Sequence, residues 1–138
     1  MRKECSMLPI YPITETNKAL ICRLYDAINA GNFSQVEGCF HPSFRHHSPA
    51  PGQSRGVHSI TQFWSQLRRQ FPGLQLVLNE LIAEGDYVVV RGTIEFHGPF
   101  GRFIEIVRVV DGQITDLWNV VTLDRGWVAN GAALRRQP

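Results

Sequence analysis

The chain lacks several features that define whole classes of protein. No run of apolar residues is long enough for a membrane span or for the central region of a signal peptide. Charge is sparse and balanced, with 14 basic and 12 acidic residues among 138 and a formal net charge of +2. Such a balance does not suggest a nucleic-acid partner. These absences predict a cytoplasmic protein that binds neither membranes nor nucleic acids.

Cysteine is also scarce. The 3 cysteines are odd in number and lack the spacing of a metal site: Cys5, Cys22 and Cys39. This pattern argues against a disulfide framework and against bound zinc. Four histidines could in principle gather a metal, but no carboxylates or thiolates accompany them at fitting spacings: His41, His46, His47 and His58. We therefore expect no metal site.

What is present is enough apolar material for one packed domain, since 43% of the residues are hydrophobic. The pattern divides the chain into an irregular, proline-containing leader over 1–13, a domain over 14–124 and a tail over 125–138 without a strong pattern.

Three stretches have apolar residues at spacings of three and four, which predicts three helices. The first, starting at Thr14 or Thr16, ends at Gly31, the second is capped by Ser34, and the third stops at Pro72. From Leu74 onward the alternation is typical of an antiparallel meander of four strands: 74–83, 87–97, 102–110 and 113–123. Three helices followed by four strands predict an α+β domain with the helices on one face of a curved sheet.

One residue in the third strand does not fit its neighbours. Phe103, Glu105, Val107 and Val109 alternate and therefore share one face. If that face is interior, Glu105 is buried, and burying an ionised carboxylate without partners costs several kcal/mol. A protein that keeps such a residue usually hydrogen-bonds it, neutralises it or uses it. Glu105 is therefore the functional lead.

The turn after this strand decides which residue stands opposite Glu105. A three-residue loop over 110–112 would place Leu117 there, whereas a two-residue loop would place Trp118 there. We favour the longer loop, which makes Asn119 the nearest polar neighbour on that strand.

On the other side, a four-residue loop over 98–101 puts an apolar file ending at Phe96 on the same face as Glu105. His97 would then face the other way, although a change of one residue in the loop would bring it inside.

The order of elements and five stretches of sequence resemble the SnoaL-like polyketide cyclase family, in the superfamily of cone-shaped folds that includes nuclear transport factor two and ketosteroid isomerase. The stretches fall within residues 16–123: LYDAINAGN, HSP, ITQFWSQLRRQFPGL, LIAEGDYVVVRGTI and IEIVRVVDGQITDLW. The resemblance implies a cone with a central pocket for an apolar or polycyclic small molecule, without a cofactor. It does not fix a reaction, because this fold carries enzymes and binding proteins alike.

The resemblance also implies roles for residues. Glu105 matches an acidic position that acts as general acid/base in the cyclases, and His47, before Ser48-Pro49, matches a frequent His-Asn-Pro. Adjacent residues of a strand point opposite ways, so at most one of His46 and His47 faces the pocket. We assign Glu105 and His47 as catalytic candidates. The substrate-binding candidates are the expected pocket wall: Asn119, Phe63, Trp64, Phe96, Phe103, Leu117 and His97.

The chain departs from the catalytic relatives elsewhere. Ser48 stands where ketosteroid isomerases carry their base, Leu24 where they carry a hydrogen-bonding tyrosine, and Thr93 where epoxide hydrolases carry an acid. Three interpretations of Glu105 stay open: an enzyme that moves a proton next to a carbonyl, a non-catalytic ligand-binding domain, or a structural acid.

The opposite face of the last two strands is apolar as well: Ile104, Ile106, Trp118 and Val120. Such a face is rarely left in water, which predicts a homodimer formed through the sheet, as the superfamily resemblance also implies.

Overall fold

The structure, a computed structural model, describes residues 12–124. Most of the predicted leader and all of the predicted tail therefore lie outside the described residues. The elements follow in the order α1 (Ile13–Ala30), α2 (Phe33–Gly38), β1 (Phe40–His46), α3 (Val57–Gln70), β2 (Gln75–Glu84), β3 (Tyr87–Glu95), β4 (Pro99–Val110) and β5 (Gln113–Leu123).

The three predicted helices are confirmed. α1 ends at Gly31, which adopts the left-handed conformation with φ 74° and donates its N–H to the last turn of the helix, as glycine at this position favours. The cap of α2 differs from the prediction, because the Asn32 side chain, and not Ser34, accepts the hydrogen bond from the backbone N–H of Gln35.

The sheet has five strands in the order β1-β5-β4-β3-β2. The predicted meander is confirmed for β2 to β5, but the sequence reading missed β1, which pairs with β5 in parallel. Pro42 and a register shift between Phe40 and Arg45 make β1 irregular, so its alternation is weak. The result is an α+β fold with three helices on a curved, open sheet, consistent with the predicted cone.

The core lies between the helices and the sheet. Leu24 and Ile28 of α1, Leu67 of α3, and Val88 and Val107 of the sheet are at most 2% exposed. None of the helices within residues 12–124 is long and apolar enough to cross a membrane.

The expectation about cysteines is wrong for Cys22, which is disulfide-bonded. Cys39 is a buried free thiol.

Candidate functional site

Glu105 lies on the inner face of β4, the face that the helices cover. Its neighbours on that face, Phe103 and Val107, are buried, whereas Ile104 and Ile106 point outward and are exposed. Glu105 itself is 3% exposed. The prediction that alternation buries this carboxyl group is confirmed.

Two neutral side chains donate hydrogen bonds to Glu105. The hydroxyl of Tyr25, on α1, donates to Oε1, and Nδ2 of Asn119, on β5, donates to Oε2 at 3.1 Å. Both hydrogen bonds join different elements: Tyr25 links α1 to β4 across 80 residues of chain, and Asn119 links β5 to β4. Each carboxyl oxygen therefore has a fixed partner, and the carboxyl group is held in one orientation.

Asn119 stands directly opposite Glu105 in the β4–β5 pair. The strands are joined by a two-residue turn, Asp111-Gly112, whose φ values of 51° and 77° are both positive, as a type I′ turn requires. Next to the turn, Thr115 has no partner on β4 and forms a bulge, which shifts the pairing by one residue. The bulge thus brings Asn119 to Glu105.

The predicted register is therefore wrong. The three-residue loop would have placed Leu117 opposite Glu105, but Leu117 stands opposite Val107. The two-residue loop occurs, yet without the bulge it would have placed Trp118 opposite Glu105. The expectation that Asn119 is the polar neighbour of Glu105 is confirmed, for a different reason.

Burial raises the pKa of Glu105 above its ordinary value, and the hydrogen bonds from Tyr25 and Asn119 lower it only in part. Burial also raises the pKa of Tyr25, and the charge of Glu105 raises it further. Tyr25 therefore keeps its proton and stays a donor. Glu105, once ionised, is a stronger base than an exposed carboxylate.

Phe103 forms the apolar wall beside this cluster. Its ring stacks on Tyr25, with centroids 5.5 Å apart and planes inclined by 18°. Opposite Phe103 on β3 is Gly92, where a Cβ atom would lie 2.3 Å from Cζ of the ring. The missing side chain at position 92 makes room for Phe103, which packs against the donor of the hydrogen bond to Glu105.

The other predicted wall residues belong to the core or pack against it. Leu117 and Trp64 are buried, and Phe63 and Phe96 are partly buried. Trp64 meets Phe63 edge to face at 4.8 Å, and Phe96 packs against Phe71 at 5.3 Å. Contact of these residues with a ligand stays a prediction.

The structure places His46 inside and His47 outside. His46 is 3% exposed and pairs with Leu117 on the inner face. The Nε2 atom of His47 lies 2.9 Å from Oδ1 of Asp116, and its ring stacks on Trp118 at 4.5 Å. The expectation that only one histidine faces inward is confirmed. However, His47, the predicted partner of Glu105, lies on the opposite face of the sheet from it.

Two residues of this region were missed at the sequence level, although a signal existed for each. Tyr25 lies among the apolar residues that recur at spacings of three and four along α1, but a buried tyrosine hydroxyl usually needs a hydrogen-bond partner. Phe44 and His46 are two apart in an extended segment and therefore share a face, so a buried Phe44 predicts an inward His46.

His97 lies exposed in the turn between β3 and β4, with a positive φ of 55°. Glu95 pairs with Pro99, so the predicted four-residue loop over 98–101 is wrong. This turn keeps His97 away from the inner face that carries Glu105. Within residues 12–124, no three His, Cys, Asp or Glu side chains are grouped so that they could hold a metal ion.

Burial, helped by the charges of His47 and Arg55, lowers the pKa of His46 to about 4. His46 is therefore neutral at neutral pH. The pKa of His46 is lower in the folded chain than in the unfolded chain. Between pH values of about 4 and 6.5, His46 is therefore protonated in the unfolded chain and neutral in the folded one. The stability that follows is complete above the unfolded pKa of about 6.5 and is lost as the pH falls towards about 4.

We predict that His46→Gln flattens this acid dependence. In urea unfolding at about pH 7 and about pH 4.5, the free energy of unfolding of the variant should fall by about 2 kcal/mol less than that of the wild type. His58→Gln, which changes an exposed histidine, is the control and should keep the wild-type difference. Equal differences in all three proteins would contradict the buried, neutral state of His46.

Comparison with known proteins agrees with this architecture. The family model for the SnoaL-like domain matches residues 21–117. A candidate polyketide cyclase from Bacillus cereus superposes with a TM-score of 0.73 at 20% identity, covering 84% of this chain and 82% of that one. AclR, a candidate hydroxylase from Streptomyces galilaeus, gives 0.67 at 25% identity, covering 79% and 90%. A candidate SnoaL-like polyketide cyclase from Jannaschia gives 0.65 at 21% identity, covering 96% and 100%. No curated protein matches the chain.

Proposed function

Because the chain belongs to the SnoaL-like domain family, we propose that it binds a small, largely apolar carbonyl compound between the helices and the inner face of the sheet. In this proposal Glu105 moves a proton at a carbon next to the carbonyl group. One observation carries the proposal: a buried carboxyl group, in an otherwise apolar file, is held by two neutral donors. No metal or cofactor is required.

The proposed step is a simple proton transfer. The ionised Glu105 accepts a proton from the carbon, the C–H electron pair forms a carbon–carbon double bond, and the carbonyl oxygen takes the displaced pair to give an enolate. In an isomerase, the protonated Glu105 returns the proton to another carbon. In an aldol cyclase, the enolate carbon attacks a second carbonyl of the same molecule, and the resulting alkoxide takes the proton back from Glu105. Two of the structural relatives are candidate polyketide cyclases, which favours the second outcome by analogy.

The surroundings of Glu105 suit a base. A raised pKa brings the carboxyl group closer to neutral pH, where a general base is most effective. Tyr25 and Asn119 fix its two oxygens, so little reorganisation is needed when it takes the proton. The interpretation of Glu105 as a structural acid paired with a cation fits less well. Arg108, the nearest arginine along β4 on its C-terminal side, points away from the inner face by alternation and contacts Asp86 at 3.5 Å.

A non-catalytic binding domain is the second candidate. It is favoured by the nature of the partners of Glu105, since Tyr25 and Asn119 are both donors and neither can serve as a second base. In that case Glu105 and Asn119 would only orient the ligand.

The exchange of carbon-bound hydrogen separates the two candidates. Beta-tetralone is a bicyclic ketone with an acidic C–H between its carbonyl and its aromatic ring. In heavy water, proton NMR would follow the loss of this signal with and without the protein. If the protein accelerates the exchange, the result supports the enzyme. If the ketone binds but its hydrogen exchanges no faster than without the protein, the result supports the binding domain.

We further propose that the chain forms a homodimer through the outer face of the sheet. Val120 is 68% exposed, Ile104 52% and Ile106 39%, and all three share this face. An apolar patch of this kind marks an interaction site more often than a surface left in water. A cytoplasmic location stays a prediction.

We predict that Val120→Asp converts the dimer to a monomer. A charge at the centre of an apolar interface would be desolvated without a partner, which costs several kcal/mol and weakens association by orders of magnitude. Light scattering at micromolar concentration measures the mass. Ile13→Asp, which changes an exposed apolar residue on α1, is the control and should stay dimeric. A monomeric wild type would rule out the dimer.

A further inference from the structure

The buried histidine on β1 has one ring nitrogen that the fold uses and one that it does not. The backbone N–H of Ser48 donates to Nδ1 of His46 at 3.1 Å. Because Nδ1 accepts, the proton of the neutral ring sits on Nε2, which is therefore a donor. Among residues 12–124, no group accepts a hydrogen bond from Nε2. Within the same residues, the side-chain atom that is fully buried without a partner is Nδ2 of Asn17 and not Nε2 of His46. Nε2 therefore keeps some accessible area, although His46 as a whole is only 3% exposed, and this donor is open to a ligand.

His46 shares the inner face of the sheet with Glu105. His46 pairs with Leu117 on β5, and Asn119, two residues further along the same strand, pairs with Glu105 on β4. The two residues are therefore two strands apart, which at the usual strand spacing corresponds to roughly 10 to 12 Å between their Cα atoms. Their side chains point to the same side, so one molecule with a bicyclic or larger skeleton can touch both.

We infer that His46 binds the substrate, donating its Nε2 proton to the carbonyl oxygen of a bicyclic or larger ketone whose acidic carbon faces Glu105. This inference rests on the proposed function, whose site it extends from the acidic carbon of the ligand to the neighbouring carbonyl oxygen. A neutral N–H aimed at the carbonyl strengthens its hydrogen bond as the oxygen gains negative charge in the enolate. Glu105 removes the proton and His46 stabilises the charge that results.

Matched ligands and variants test this role. Beta-tetralone and tetralin have the same two-ring skeleton, but tetralin lacks the carbonyl oxygen. Ligand-observed NMR titrations would compare the wild type with His46→Phe, which keeps a buried ring and removes the donor. We expect the variant to lose about tenfold in affinity for the ketone and to bind tetralin unchanged. His46→Gln, which can still donate an N–H, should recover part of the loss.

The infrared C=O stretching frequency of bound beta-tetralone depends on hydrogen bonding to its oxygen, so a histidine with only a structural role would not change it. It should lie at lower frequency in the wild type than in His46→Phe, because a hydrogen bond to oxygen weakens the C=O bond. Urea unfolding would check that both variants are folded before they are compared.

The outcomes separate this inference from the proposed function. Loss of selectivity for the ketone in His46→Phe, with no accelerated hydrogen exchange in the wild type, would support His46 and leave the chain a binding domain. If the wild type accelerates hydrogen exchange, but His46→Phe changes the affinities for beta-tetralone and tetralin equally, the proposed role of Glu105 stands and the proposed role of His46 is overturned. A wild type that binds the ketone no more tightly than tetralin, or not at all, also overturns it.

Discussion

Replacing Glu105 by glutamine is expected to reduce hydrogen exchange of beta-tetralone to the uncatalysed rate. Glutamine keeps the size of the side chain and an oxygen that accepts from Tyr25, but its amide is not a base at neutral pH. The effect should exceed a hundredfold, the lower range for a positioned general base. Proton NMR in heavy water measures the rate.

The fold of Glu105→Gln should persist. Asn119 can turn its amide so that its oxygen accepts from the new N–H, and the variant no longer buries an ionisable group. We expect the free energy of unfolding to change by no more than about 1 kcal/mol. Glu95→Gln, at an exposed position on β3, is the control and should exchange like the wild type. Full exchange activity in Glu105→Gln would end the proposed mechanism.

Adding a methyl group at position 92 is expected to have the largest effect on stability. In Gly92→Ala the new Cβ would lie 2.3 Å from Cζ and 2.6 Å from Cε1 of Phe103, and 2.7 Å from the backbone oxygen of Val77. The ring can turn away only by leaving Tyr25, and the backbone oxygen cannot move without disturbing the sheet. We expect a loss of about 3 kcal/mol or more in urea unfolding, the upper range for an overpacked core.

A matched glycine supplies the control. In Gly38→Ala the Cβ meets nothing within 4 Å, and alanine favours helix more than glycine does, so stability should stay level or rise. Combining Gly92→Ala with Phe103→Leu removes the ring from the clash but leaves the contact with Val77, so only partial recovery is expected. Wild-type stability in Gly92→Ala alone would contradict the packing described for Phe103.

The sequence was most informative where one periodicity acts alone. Alternation along β4 was enough to predict that Glu105 is buried, and the glycine at position 31 was enough to predict where α1 ends. It was least informative where two effects combine. The turn at 111–112 and the bulge at Thr115 each shift the register by a residue, and only their sum places Asn119 opposite Glu105. A register assigned by counting residues back from the turn assumes an unbroken ladder, so it cannot include the bulge at Thr115.

The histidines show a different limit. His46 and His47 are chemically identical, and the choice between them depends on whether their segment joins the sheet. The sequence predicts only a short extended segment at 44–48 and does not show that this segment joins the sheet, so its inward file could not be followed from Phe44 to His46. The resemblance to His-Asn-Pro then favoured His47. Tyr25 shows a related limit: its hydroxyl group indicates that a hydrogen-bond partner is needed, but the partner cannot be identified as Glu105 until the strand opposite α1 is known.

The parallel pairing of β1 with β5 also sets an order for folding. β2 to β5 are joined by short turns, so their contacts are local and close rapidly. β1 can join only when a long segment of chain closes, since His47 and Asp116 are 69 residues apart. We therefore expect the meander with Glu105 and Asn119 to assemble first, and the edge that carries His46 to dock onto it afterwards. The two ends of the candidate site would then belong to different stages of the folding reaction.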